Sequence, residues 1–327
     1  KDIIVHAYDW QFCPVALTVK EALLDDYSDH PKKHSILQSA AVVMTMHNPY
    51  DHVLMPHKLS AITDRVGDHP WRPVSGDNRP TFLSRMVPLL DAPLVTVSRS
   101  FAEEMCSHPL QKLIYANHIQ GILESQGIVG INNGIFMPLD SKYFSDLSII
   151  EARGGNYQPI LNEKLHARKN MLELFAQSES RGWIGKLKGS YNDGGLGGEV
   201  TQLKDNVPVY FMYGRMDLGQ KGIDILVNAI SKMPTGAARF VILSWAGEKD
   251  DCLNKHMHEV EKLAYEKKAG EILFIPQRLS QEFITILRGA TCSVWPSVYE
   301  PFGSVTEPLL QGTPALSRLT GGLVTQT

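Results

Sequence analysis

The hydrophobic pattern divides the chain into short apolar runs separated by longer stretches with helical spacing. Residues 1–10 and 40–48 are runs of the first kind, each ending in polar groups, and 15–24 reads as the helix between them. Residues 91–98 form another run ending in Ser98, with 99–105 as the following helix. Residues 128–135 begin as a strand and turn at Asn133-Gly134, two residues that tolerate a left-handed backbone. Strand, helix and strand in alternation predict βαβ units and a parallel sheet. Asp9 and His47 fall at the C-terminal ends of successive strands, where ligands of open α/β sheets collect.

The same rhythm returns at 207–215, a strand that ends on Gly214 and Arg215. A turn at 217–220 and an amphipathic helix at 221–230 follow. Strands at 238–248 and 271–275, a charged helix at 259–268 read as a solvated face, and a helix at 279–287 lead to a buried run at 290–294. After that run a loop carries Glu300 and Glu307 seven residues apart. A helix is expected to begin inside the loop, at Gly303, and to end at Gly312 before a last strand. Free amides at such a helix start favour a phosphate. Arg215 and Lys221, at the two ends of one strand–helix turn, set two fixed cations over the same crevice. Cations so placed stabilise the charge that grows on a departing diphosphate. A surface salt bridge is the plainer reading of that pair.

Length adds a domain count. At 327 residues two cores are expected, here 1–205 and 206–327. Hydrophobic content of 43% with 20% charged residues describes an ordered globular chain, and a net charge of −3 leaves no nucleic-acid footprint. No apolar run is long enough for a bilayer and no signal peptide is visible, so no membrane partner and a cytoplasmic setting are expected. Cys13, Cys106, Cys252 and Cys292 form no CxxC pair and read as reduced, mostly buried thiols. His52, His57 and His69 in the loop-rich segment 49–91 match no metal-ligand spacing, and no metal is expected. Residues 137–205 carry the weakest pattern: a helix at 164–177, then the glycine-rich 192–198, read as a flexible connector. The chain opens on a strand at Lys1 and stops at Thr327 with no closing helix, so a fragment of a longer protein is expected.

Several motifs, in order, resemble the glycogen and starch synthases. Glu300-Pro301-Phe302-Gly303 with Glu307 resembles the E-x7-E region of retaining GT-B glycosyltransferases, and the synthases most closely. His6-Ala7-Tyr8-Asp9-Trp10 looks like their His-Ala-His-Asp-Trp, Thr45-Met46-His47-Asn48 like their Thr-x-His-Asn, and Asn133-Gly134-Ile135 like their Asn-Gly-Ile turn. Gly214-Arg215 with Gln220-Lys221-Gly222, and Thr320-Gly321-Gly322-Leu323, complete the series. The departures are Tyr8, Phe136, one extra residue between Arg215 and Lys221, Pro308 in the second helical turn, and the lack of the family's N-terminal lysine–glycine loop.

The resemblance implies two Rossmann-like domains facing across a cleft, the GT-B arrangement. It implies glucosyl transfer, with retention, from ADP- or UDP-glucose to the non-reducing end of an α-1,4-glucan, with no cofactor beyond that co-substrate. Under it Arg215 and Lys221 hold the diphosphate, Gly303, Ser304 and Val305 add backbone contacts, and Gly321 and Gly322 let the backbone approach the donor. Glu300 holds sugar hydroxyls, Glu307 the ribose, and His47 lies beside the reacting carbon, with Asp9, Asn48 and Asn133 on the acceptor or sugar. The rivals are a sucrose-phosphate-synthase-like or mannosyl retaining transferase, and a non-catalytic piece that binds glucan or nucleotide.

Overall fold

The structure, a computed structural model, describes residues 3–24, 40–50, 81–134, 153–176, 197–200, 207–217, 219–245, 258–276, 278, 279 and 281–326. Two compact units emerge: Lys1–Asn133 with Thr320–Thr325, and Gly134–Leu319 with Gln326–Thr327. The fold is mixed α/β with parallel sheets, as the alternating pattern predicts.

In the first unit β1 (Ile3–Tyr8), β2 (Ala40–Met46), β3 (Leu94–Thr96) and β4 (Ile128–Gly130) lie side by side in that order, all parallel. Strand β2 alternates buried and half-buried positions, and its Val42, Met44 and Met46 are fully buried. The Arg99–Ser107 helix packs Phe101 and Met105 into the same core. Its start is fixed by Ser98, whose side chain accepts from the Phe101 N–H. The segment Thr320–Thr325 belongs to this unit through Glu104, which accepts from the Gly321 N–H at 2.7 Å and the Thr320 hydroxyl at 3.2 Å.

The second unit contains β5 (Gly197–Val200), β6 (Val209–Arg215), β7 (Arg239–Trp245), β8 (Glu271–Ile275), β9 (Cys292–Trp295) and β10 (Ala315–Ser317). Their order is β10-β9-β6-β7-β8-β5, parallel throughout except that β5 runs antiparallel to β8. Strand β8 is buried at every position and β7 at all but its last, as a sheet covered on both faces requires. The sequence proceeds outward from β6 through β7 to β8, then returns to β6's other side as β9 and β10. The gap between the ends of β6 and β9 is therefore a topological switch point.

Several expectations are corrected. The division between units falls at 133/134, not 205/206, because the Gln158–Ala176 helix packs on the Gln281–Gly289 helix of the second unit. The approach is close: a β-carbon on Gly289 would strike Met171. Arg168 also reaches the Val207 carbonyl, and Lys164 the Thr313 hydroxyl. Gly197 and Gly198, expected in a connector, start strand β5, since the outer edge of β8 offers a ladder to pair with. The charged 259–268 segment does not present only a solvated face: Val260, Leu263 and Ala264 are buried in the core, and buried Lys268 pairs with Glu271 at 3.5 Å. Of the described cysteines, Cys13 is buried and Cys106 and Cys292 are half-buried, and none of the three is in a disulfide. Cys252, the histidines at 52, 57 and 69, residues 192–196 and Phe136 lie outside the described residues. Among those described, no helix is long and apolar enough to cross a membrane, and no cluster of His, Cys, Asp or Glu could hold a metal ion.

Candidate functional site

The second unit concentrates charge at its switch point. Strand β6 ends in Arg215 and the chain turns back through Asp217 to Gln220 and Lys221. The Asp217 carbonyl accepts from the Lys221 N–H at 2.7 Å, and its carboxylate from the Gln220 N–H at 3.0 Å, which closes the turn. The Ile223–Lys232 helix starts after Gly222, which is left-handed at φ 65°. A β-carbon there would collide with the Pro296 carbonyl, so this glycine lets the loop after β9 lie directly against the turn after β6. The Val298 N–H donates to the Gln220 carbonyl at 2.8 Å and ties the two loops together.

Across that seam the Lys221 ammonium lies 2.6 Å from Glu300 Oε2, with side chains only 15% and 5% exposed. The Ser297 hydroxyl donates to the same oxygen at 3.1 Å. Arg215, half exposed, donates through Nη2 to Gln220 Oε1 at 3.1 Å and stands 3.8 Å from the Asp217 carboxylate. Lys221 and Glu300 thus meet directly, while Arg215 is held by Gln220, the residue before Lys221, at the same turn.

Glu307 sits on a second connection. The Tyr213 hydroxyl is 2.7 Å from Glu307 Oε2 and 2.9 Å from the Ser304 carbonyl. The phenol ring is wedged edge-on against Phe283 and Trp295, with centroids 4.8 and 5.0 Å away. Burial pushes the Glu307 carboxyl above its usual range, while hydrogen bonds from Tyr213 and Ser304 pull the other way. Gly303 is left-handed at φ 83° and turns the loop. The helix itself begins at Thr306, three residues later than expected, after Val305 as its cap. Pro308 consequently lies in the first turn, where no intrahelical N–H bond is lost, and is not the departure it seemed.

In the first unit Asp9 is the one described non-glycine residue with positive φ, at 53° with ψ −179°. Such a conformation costs about 1–3 kcal/mol and persists where surroundings enforce it. Here they do. The Asp9 carboxylate accepts from the His47 N–H at 2.6 Å and the Asn48 N–H at 3.4 Å, and faces His47 Nδ1 at 3.2 Å. The hydrogen bond to Asp9 raises the His47 pKa above its ordinary value, against the opposing pull of burial. The Asn48 side-chain amide oxygen, Oδ1, is buried with no hydrogen-bond partner among the described residues. Tyr8 stacks on His6 at 4.3 Å and lies 6.0 Å from the His47 ring.

Not every expected residue joins these groups. Asn133 donates its N–H to the Val97 carbonyl after β4. Gly321 and Gly322, expected in the nucleotide domain, belong to the first unit, where the Gly321 backbone bonds Glu104 and Ser100. The side chains of Glu104 and Ser100 claim these backbone groups, a tie invisible from spacing alone. Sequence reasoning also missed Tyr213 and Ser297. The signal for Tyr213 was a polar-tipped ring inside a buried strand, since such a hydroxyl needs a partner. A cavity of about 380 Å³ between the Ile223–Lys232 helix and the Leu263–Lys267 turn lies elsewhere, and none of Arg215, Lys221, Glu300 or Glu307 lines it.

Residues 199–326 match the family model described as Glycosyl transferases group 1. Granule-bound starch synthase 1, chloroplastic/amyloplastic, from Pisum sativum is 26% identical over 238 residues, 70% of this chain and 32% of that protein. The catalytic domain of starch synthase IV from Arabidopsis thaliana, solved bound to ADP and acarbose, superposes with a TM-score of 0.68 at 19% identity. That superposition covers 99% of this chain and 58% of the Arabidopsis domain, so the chain spans less than two thirds of either relative. Domain match and relatives agree: residues 199–326 are a group 1 glycosyltransferase domain, and the chain as a whole is similar to starch synthases and shares the fold of the Arabidopsis domain.

Proposed function

We propose that this chain serves retaining glucosyl transfer from ADP- or UDP-glucose to the non-reducing end of an α-1,4-glucan, as a hexosyltransferase of the glycogen/starch synthase type. The Lys221–Glu300 pair at the switch point carries this reading. An ammonium has three donors, so the bond to Glu300 leaves two for phosphate oxygens. Arg215 keeps guanidinium donors beyond the one given to Gln220. When the bond from the anomeric carbon to the donor phosphate breaks, its electron pair leaves with the diphosphate, and these cations stabilise that charge. Glu300 is held through one oxygen, which leaves the other to accept a sugar hydroxyl. Glu307 accepts from the ribose, and Gly303, Ser304 and Val305 supply backbone near the donor. In the first unit Asp9, His47 and Asn48 offer hydrogen-bonding groups to a sugar.

The Arabidopsis domain's ADP supports a nucleotide-sugar donor here. The reading calls for no cofactor beyond that co-substrate, and the absence of a disulfide among the described cysteines suits a reducing setting such as the cytoplasm. Because the chain spans 58% of that domain, a second reading is a nucleotide- or glucan-binding piece without turnover. The test is glucan extension on glycogen with ADP-glucose or UDP-glucose, beside Lys221→Ala. Extension from one donor, lost in the variant, is the expected result. Silence with measurable binding of ADP, UDP or glycogen favours the second reading, and no binding of any of the three contradicts both.

A further inference from the structure

We propose that Tyr213 is a positioning residue for Glu307, setting which carboxylate oxygen faces the ligand and keeping the group ionised, an inference that rests on Glu307 as the ribose acceptor. The phenol hydroxyl has one proton and two acceptors in reach, Glu307 Oε2 at 2.7 Å and the Ser304 carbonyl at 2.9 Å. With Glu307 ionised, the proton goes to the carboxylate, the stronger acceptor. Oε2 is then taken by the phenol, and Oε1 keeps acceptor capacity for a ligand hydroxyl even with the Ser304 hydroxyl on the carboxylate. When Glu307 is protonated the bond reverses: the carboxyl O–H donates to the phenol oxygen, and the phenol proton turns to Ser304. A hydroxyl with only these roles is held still by its ring. Tyr213 is 9% exposed and locked between Phe283 and Trp295.

The groups facing this contact are few. Ser304 reaches Glu307 by its side chain, and Glu300 is the other acid near Tyr213, itself paired with Lys221. Phe283, Trp295 and Phe211 around the ring carry no charge. Burial raises the Glu307 pKa and the Tyr213 bond lowers it, so removing the hydroxyl lets burial act unopposed.

The experiment compares the whole chain with Tyr213→Phe and Glu307→Gln. Carboxyl carbon NMR follows Glu307 through pH in the unliganded protein, and calorimetry follows ADP and UDP binding from pH 4.5 to 8. The expected result is a higher Glu307 midpoint in Tyr213→Phe, an acid limb of nucleotide binding moved to higher pH, and binding about tenfold weaker at neutral pH, the size of one hydrogen bond to a charged group. In the Glu307→Gln background the further change Tyr213→Phe then costs little, because the charge it serves is gone. An unchanged midpoint overturns the assignment, as does weakening by Tyr213→Phe that is uniform across pH. Absence of nucleotide binding in the unaltered chain contradicts the ribose role, while the NMR titration still decides whether Tyr213 governs Glu307. Thermal unfolding of Tyr213→Phe separates a folding defect from either outcome.

Discussion

Lys221 and Glu300 meet at 2.6 Å although 79 positions separate them, because β6 and β9 are neighbours in the sheet. Each comes from the loop after one of those strands, and Gly222 permits the two loops to touch. Removing one member leaves the other charge buried and alone. Lys221→Ala is therefore expected to destabilise the second unit by about 3 kcal/mol, and Glu300→Gln in the same chain to recover part of that loss. Urea midpoints of the single and double variants measure this; equal midpoints for all forms would show the pair to be solvated.

Gly222→Ala tests the contact between the loops without touching a charge. The new methyl meets the Pro296 carbonyl, and the residue must also hold φ 65°. A loss of about 2 kcal/mol or more is expected from strain at one such position, with weaker nucleotide binding as the loops part. Wild-type unfolding and affinity would mean the loops do not need this approach.

Asp9 and His47 make a titration prediction. The hydrogen bond to Asp9 raises the His47 pKa, so the pair's contribution to stability is present below the ordinary value of 6.5 and fades as pH rises through the folded-state value. Asp9→Asn should lower the His47 pKa, read from the imidazole proton shifts by NMR. Asp9→Asn should also relax the backbone at residue 9, since asparagine forms weaker bonds to the same amides. An unmoved imidazole titration would put the cause of the shift elsewhere.

Lys164 makes another, with the opposite sign. Burial lowers its pKa to about 7, against 10.5 in the open chain. The unfolded chain binds more protons between those values, so stability should rise as pH climbs from about 7 towards 10. Lys164→Met should remove that slope and stabilise the chain at neutral pH by roughly 2–4 kcal/mol, less what the lost bond to Thr313 contributes. Parallel pH–stability curves for the two proteins would contradict the shift.

Much of this was legible from local pattern. Apolar runs ending in polar residues located β1, β2, β6 and β9, and the loops after them held Asp9, His47, Lys221 and Glu300. Strand order was not legible, because β9 pairs with β6 through contacts that period and propensity do not encode. The Tyr213–Glu307 bond was hidden for the same reason. Gly197-Gly198 misled because glycine is depleted in strands, yet an open ladder on β8 outweighs that preference. The unit boundary misled because the Gln158–Ala176 helix has little amphipathic contrast to show which core it serves, and long-range contacts, Met171 on Gly289, Arg168 on Val207 and Lys164 on Thr313, reveal it.

The most direct test of nucleotide binding at the switch point is calorimetric titration of ADP and of UDP into the unaltered chain and Lys221→Ala, at fixed salt and neutral pH. The account predicts binding of at least one nucleotide by the unaltered chain and a loss of tenfold or more in the variant, on the order of 1.4 kcal/mol. Equal affinity in both proteins, or no binding of either nucleotide to the unaltered chain, would contradict it.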